Sequence, residues 1–230
     1  VGIDSHFQVK VGDNAGRMEF CIRQALERSD AVVCCGGLGP TQDDITRDVI
    51  AAIMGVEMVR DDTIAEHIRD IFEGRGRPMP ENNLRQADVP VGAATIAQMP
   101  GTAPGLVCPL TIDGEDKVVY AVPGVPHEMR EMMEGTVLDD LRRRSGETSI
   151  IHSRVIRTWG YGESAIAETL AERVDALDES GHATIAFQAS GIEGIKVRIT
   201  TKAADDAAAE AIIAAEEALI RELLGDYIFG

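Results

Sequence analysis

The sequence predicts an α/β domain on a mostly parallel sheet covered on both faces, followed by a small α+β domain. Three observations carry that prediction. Short apolar runs alternate with helix-period segments through residues 1–145. Turns rich in Gly, Pro and Asp follow those runs, at the place where open α/β sheets bind their ligands. In residues 146–230 the rhythm changes to strand, helix, two strands and a long helix.

Each element has its own warrant. His6-Phe7-Gln8-Val9-Lys10-Val11 alternates polar and apolar residues and predicts a strand near 6–11. A helix near 14–28 carries Phe20, Ile22, Ala25 and Leu26. Ala31-Val32-Val33-Cys34-Cys35 is wholly apolar, as a parallel strand buried on both faces is. A glycine loop then leads into a helix near 44–54 with Ile45, Val49, Ile50 and Ile53. Asp61-Asp62-Thr63 caps a helix near 62–73. Arg75-Gly76-Arg77-Pro78-Met79-Pro80 breaks the pattern, and a short helix is expected over 81–87. A strand at 95–98 and a glycine turn at 101–105 precede strands near 106–112 and 117–122, with Asp113-Gly114 as the hairpin signal between them. A helix near 126–134 and a further helical piece end at Arg142-Arg143-Arg144.

The pattern breaks at Ser145-Gly146-Glu147-Thr148, which divides the chain into domains 1–145 and 146–230. The second domain opens with a strand over 150–158. Gly160-Tyr161-Gly162 turns into a helix near 163–174. Strands near 183–189 and 194–201 are joined by Ser190-Gly191-Ile192-Glu193-Gly194. The Ala-rich segment 204–224 is a helix, because Ile212, Ile213, Leu219, Ile220, Leu223 and Leu224 give it an apolar stripe.

Composition excludes several function classes. The 230 residues carry 39 acids against 22 bases, a net charge of −17, which repels nucleic acid and anionic membrane. An anionic ligand therefore needs local help from backbone amides or a metal. No apolar run approaches the roughly 18 residues of a membrane span, and no signal-peptide pattern opens the chain, so a cytoplasmic location is expected. Cys21, Cys34, Cys35 and Cys108 show no CxxC spacing and no matching His. They are expected as reduced thiols, with Cys34 and Cys35 as small core residues.

The chemistry concentrates in Cys34-Cys35-Gly36-Gly37-Leu38-Gly39-Pro40-Thr41-Gln42-Asp43-Asp44-Ile45-Thr46. Gly36, Gly37 and Gly39 let backbone N–H groups approach a phosphate, and the following helix adds a partial positive charge. Thr41 and Thr46 add hydroxyls. The loop is neither a Walker loop nor GxGxxG, since it lacks Gly-Lys-Ser/Thr and its glycine spacing differs. Acids in a helix's first turn also complement the dipole and cap amides, for about 0.3–1 kcal/mol each. That accounts for one of Asp43 and Asp44 better than for both, because adjacent carboxylates repel beside a phosphate. A divalent ion such as Mg²⁺, held by both, resolves the conflict.

Other segments converge on the same edge. Asp13 ends the first expected strand and reads either as a rim residue or as a helix N-cap. Pro123-Gly124-Val125-Pro126 is a stiff turn or a wall shaped to a ligand, with Glu128 as a further metal ligand. Gly101 and Thr102 lie in a third small-residue turn. Asn83 and Arg85 follow a proline break, and Arg85 is either a phosphate partner or a solvated cation.

GGLGPTQDDIT resembles the signature of the competence/damage-inducible protein A (CinA) family. ENNLRQA, GTAPG, VPGVPHEM, RTWGYGES and TIAF match its further motifs in order. The resemblance covers nearly the whole chain. It implies a three-layer α/β/α domain, like the molybdopterin-binding domain of molybdenum-cofactor biosynthesis proteins, and then a KH-like α+β domain. It implies that Asp13 and Asp44 serve nucleotide-linked chemistry, and that the glycine loop, Thr46, Pro123 and Gly124 line the pocket. It further implies metal-dependent hydrolysis of the ADP-ribose pyrophosphate and a homodimer. A binding protein for molybdopterin or an adenylylated pterin, without turnover, is the alternative. The family's opening strand and its Gly-Asp/Thr-Glu-Leu-Leu segment have no counterpart before Val1, so a segment upstream is expected. The family's amidase domain would begin near Gly230, so no amidase activity is expected. The 190–194 turn carries Glu193 and no basic GXXG loop, so the KH-like domain is not expected to bind RNA.

Overall fold

The structure, a computed structural model, describes residues 2–189 and 191–230 and leaves out the side chain of Ile192. Val1 at the chain's opening, and Ser190 of the expected 190–194 turn, lie outside the described residues. The chain divides into two compact units. One comprises residues 5–144; the other comprises residues from Ser145 onward together with residues 2–4.

In the first unit, α1 (Ala15–Arg28) starts at Asn14, whose side chain accepts the Arg17 N–H at 3.1 Å. Met18, Ile22 and Leu26 recur at four-residue spacing and bury one face, while Phe20 stays exposed. β1 (Ala31–Cys35) runs into the glycine loop and α2 (Thr46–Met54). β2 (Met58–Arg60), α3 (Asp62–Gly74), a 3₁₀ turn over Glu81–Ala87 and β3 (Asp88–Pro90) make a side unit around Ile64, Ala65, Ile68 and Ala87. β2 and β3 pair antiparallel. Asp61 caps α3 as expected, accepting the Ile64 N–H at 3.1 Å. β4 (Ala94–Thr95), β5 (Leu106–Ile112) and β6 (Glu115–Val122) follow. Then come α4 (Pro126–Met132), one π turn at Met133–Val137 and α5 (Leu138–Ser145).

The four-stranded sheet has the order β1-β6-β5-β4. It has helices on both faces because β6 alternates. Val119 and Ala121 pack with Ile22, Leu26 and Ile50 of α1 and α2. Val118, Tyr120 and Val122 pack with Met132 and Val137 on the other side. The α/β class and the three layers are therefore as expected. The sheet itself is mixed: β1 pairs parallel to β6, while β5 and β4 run antiparallel. A two-residue turn admits no other direction, since Asp113 (φ 52°) and Gly114 (φ 84°) fold β6 straight back on β5.

The strand expected at 6–11 is not formed. Residues 3–12 have no regular structure, and Phe7 and Val9 are exposed. Alternation signals competence to pair, but a strand also needs a neighbouring edge, and none pairs with this segment among the described residues. The Phe7 ring instead carries the Arg28 guanidinium 4.3 Å above its centre.

In the second unit, β7 (Ile150–Thr158), α6 (Glu163–Thr169), α7 (Ala171–Ser180), β8 (Thr184–Ala189), β9 (Ile195–Ala203) and α8 (Asp206–Leu224) form the α+β fold. Its antiparallel sheet has the order β7-β9-β8. Ile156, Leu170, Val197, Ile199, Ile213 and Ile220 form its core. The single helix expected over 163–174 is two helices that meet at Leu170 and run on to Ser180. No helix among the described residues is long and apolar enough to cross a membrane.

Candidate functional site

Two strand exits lie side by side in the first unit. The Gly36 N–H donates to the Val122 carbonyl at 2.9 Å, one step beyond the parallel register of β1 and β6. The Cys35 thiol donates to the Pro123 carbonyl at 3.5 Å. A Cβ placed on Gly124 would meet the Gly36 Cα at 3.5 Å. The glycine loop and the Pro123-Gly124 turn thus share the carboxyl ends of adjacent strands, the ligand position of open α/β sheets.

The loop is wound tightly on its own side chains. Gly36 (φ 96°) and Gly37 (φ 68°) adopt left-handed conformations that other residues rarely tolerate. Thr46, buried at the start of α2, donates its hydroxyl to the Gly36 carbonyl at 2.8 Å and its N–H to the Gly37 carbonyl at 3.1 Å. A side chain on Gly37 would strike that hydroxyl. The Thr41 N–H donates to Asp44 Oδ2 at 2.9 Å, and the Thr41 hydroxyl donates to the same oxygen. The Asp44 carboxylate also fills the space beside Gly39 that a side chain would need. Both threonine hydroxyls expected to face a ligand are therefore engaged within the loop.

Asp43 and Asp44 differ. α2 begins at Thr46, so neither acid lies in its first turn; the acid there is Asp48. Helix capping therefore accounts for neither of them. Asp43 is exposed, whereas Asp44 is half-buried. Burial pushes the Asp44 carboxyl up. Hydrogen bonds from Thr41 and the Gly39 N–H, with the charge of Arg47, outweigh burial and hold it below the ordinary value of 3.8.

Arg47 is the residue that sequence reasoning missed. Its side chain is 1% exposed, and it donates to the carbonyls of Leu38 at 2.7 Å and Gly39 at 3.0 Å. Burial, then the charge of Arg85, lowers its pKa, while Asp48, Asp44 and Asp88 act the other way. A guanidinium stays protonated under such conditions. A signal was present: Arg47 shares a helix face with Ile50 and Ala51, and a cation there, just after a glycine loop, is out of pattern.

Arg85 reaches the loop, but it donates to the Thr41 carbonyl at 2.9 Å and to Asp48 Oδ2 at 2.6 Å. Asn83 is buried, and its side-chain oxygen accepts from Gln86 at 3.1 Å; Gln86 accepts from the Thr102 hydroxyl at 3.1 Å. This polar chain ties the 3₁₀ turn to the Gly101–Gly105 turn. Gly101 packs against the carboxylate of Glu128, in the first turn of α4. Val125 and Pro126 are exposed where α4 begins. Asp13 is exposed before α1 and is not its cap, because Asn14 has the extended backbone and makes the bond. Without the strand at 6–11, no strand end carries Asp13 to the rim of the sheet.

Among the described residues, no three or more His, Cys, Asp or Glu side chains group so as to hold a metal ion. Asp43, Asp44 and Glu128 thus form no all-protein cage. Asp44 is turned into the loop against Thr41 while Asp43 faces solvent, so an ion held by these acids would need further ligands from elsewhere, such as phosphate oxygens. The cysteines are free: Cys108 is buried, and burial pushes Cys34 and Cys108 up to about 12. Cys35, expected in the core, is exposed at the end of β1, which has one neighbouring strand among the described residues.

The family description "Probable molybdopterin binding domain" matches residues 1–143, and "Damage-inducible protein CinA KH domain" matches residues 153–230. The chain belongs to the CinA family. A CinA-like protein from Frankia casuarinae is 45% identical over 235 residues, covering 100% of this chain and 53% of that protein. One from Gloeobacter violaceus is 42% identical over 233 residues, covering 100% and 52%. The chain thus spans about half the length of these CinA relatives. The crystal structure of a CinA protein of unknown function from Thermoplasma acidophilum matches with TM-score 0.47 and 34% identity, over 55% of this chain and 72% of that one.

Proposed function

We propose that the first unit seats the phosphates of a nucleotide in the Gly36–Thr46 loop and hydrolyses the pyrophosphate of ADP-ribose or a related nucleotide. One observation carries this reading. A glycine loop braced from beneath by Arg47 and Thr46 sits at the paired exits of β1 and β6, with Asp43 and Asp44 on the loop. Loop amides and the buried guanidinium favour phosphate oxygens there. In the reaction, water oxygen bonds to one phosphorus and the bridging P–O bond breaks, leaving AMP and a sugar phosphate. Asp43 and Asp44 would hold Mg²⁺ together with the phosphates, and the bound ion would supply charge neutralisation and water activation. Pro123 and Gly124 wall the seat, and Arg85 holds the loop in place through the Thr41 carbonyl.

A second reading is a molybdopterin or adenylylated-pterin binder without turnover. The family match to a molybdopterin binding domain favours it. One experiment separates the two. The protein and Asp43→Asn are incubated with ADP-ribose and Mg²⁺, and AMP is measured. Hydrolysis lost at least about a hundredfold in Asp43→Asn supports the enzyme, at the scale seen for removing a charge-stabilising group. Tight binding of a pterin or of ADP-ribose without AMP supports the binder. Unchanged turnover in Asp43→Asn removes that acid from the mechanism.

A further inference from the structure

Phosphate loops commonly present a cation, and this one displays two acids instead. The cation is underneath. Arg47 is 1% exposed, and the nearby Asp48 is taken by Arg85 at 2.6 Å. Its hydrogen bonds go to two neutral carbonyls, those of Leu38 and Gly39. A charge taken out of water is unfavourable unless an opposite charge offsets it. Asp48 and then Asp44 provide part of that offset, and Asp44 sits in the loop as a bound anion would. One of its oxygens takes both the N–H and the hydroxyl of Thr41, and its carboxylate fills the hollow beside Gly39.

Building on the phosphate-cradle reading above, we propose that Arg47 is the cation of this loop and that Asp44 occupies the seat of the incoming phosphate, leaving it when a diphosphate-bearing ligand binds. Arg47 is then a positioning residue: it turns the Leu38 and Gly39 carbonyls inward and lends the loop positive potential. Asp44 is a built-in competitor. Its release from Thr41 on binding is what would free it to meet a ligand-borne ion.

The sign of one effect tests this. Inorganic pyrophosphate is titrated calorimetrically in EDTA into wild type, Asp44→Asn and Arg47→Met, with circular dichroism confirming folding. Asp44→Asn is expected to bind at least about tenfold more tightly, since a like charge beside the phosphate is removed. Arg47→Met is expected to bind at least about tenfold more weakly. A loop brace with no competing role gives the opposite sign for Asp44→Asn. If wild type binds and Asp44→Asn binds equally or more weakly, the inference is overturned while the cradle stands. If no variant binds pyrophosphate with or without Mg²⁺, both fall. Should Arg47→Met fail to fold, Asp44→Asn alone decides.

Discussion

Asp140 shows how one buried carboxylate is kept ionised. The Tyr120 hydroxyl donates to it at 2.7 Å, Arg144 donates at 2.7 Å, and Arg143 pairs with its other oxygen. Burial would push the carboxyl up; the hydrogen bonds of Arg144 and Tyr120 and the two arginine charges hold it below 3.8. A group with a depressed folded pKa stabilises fully above its unfolded pKa and loses that contribution as pH falls through the folded one. Tyr120→Phe is therefore expected to cost about 1.5–3 kcal/mol at neutral pH, as for a hydrogen bond to a charged group. The gap from wild type should narrow below about pH 4. Urea midpoints at both ends of that range check it; a gap that stays constant in acid assigns the loss to packing. At this scale the glycines were legible, because left-handed turns and close contacts need them. Arg47 was legible only as a cation out of place on an apolar helix face; its role was not, because only the folded loop shows carbonyls turned to meet it.

At the scale of elements, the β5–β6 hairpin directs the sheet. Ile112 faces Glu115 across the turn, and Gly114 holds φ 84° with open space around its Cα. Gly114→Ala meets no clash but does meet backbone strain, so a loss of about 1 kcal/mol or more is expected. Chemical denaturation checks it; an unchanged midpoint would mean that the turn rearranges at no cost. Asp113-Gly114 was readable from sequence because two-residue turns have strict chemistry. The side pair β2 and β3 was not. Its three-residue strands bury little, and a contact 28 residues apart along the chain, such as Arg60 with Asp88, leaves no local pattern.

At the scale of the molecule, each unit has its own core. Ile199 is fully buried in the second, among Ile156, Val197 and Ile213. Ile199→Ala is expected to lose about 2–5 kcal/mol by cavity formation. Calorimetry should show one thermal transition lowered while pyrophosphate affinity, which the proposal places in the first unit, is unchanged. Equal lowering of both would show that the units unfold together.

The sequence by itself determined the α/β class, the second α+β fold, the hairpin and the place of the glycine loop. Each rests on local chemistry: periodicity, turn residues and glycine at a strand's end. The tertiary structure alone decided which way the loop's polar groups turn. It spent the hydroxyls of Thr41 and Thr46 inside the loop, joined Arg85 to Asp48, and put Arg47 beneath the glycines. It also left residues 6–11 without a partner strand among the described residues. The physical reason is common to all of these. A residue's capacity to donate, accept or pair is written in its side chain, whereas the group that meets it comes from elsewhere in the fold.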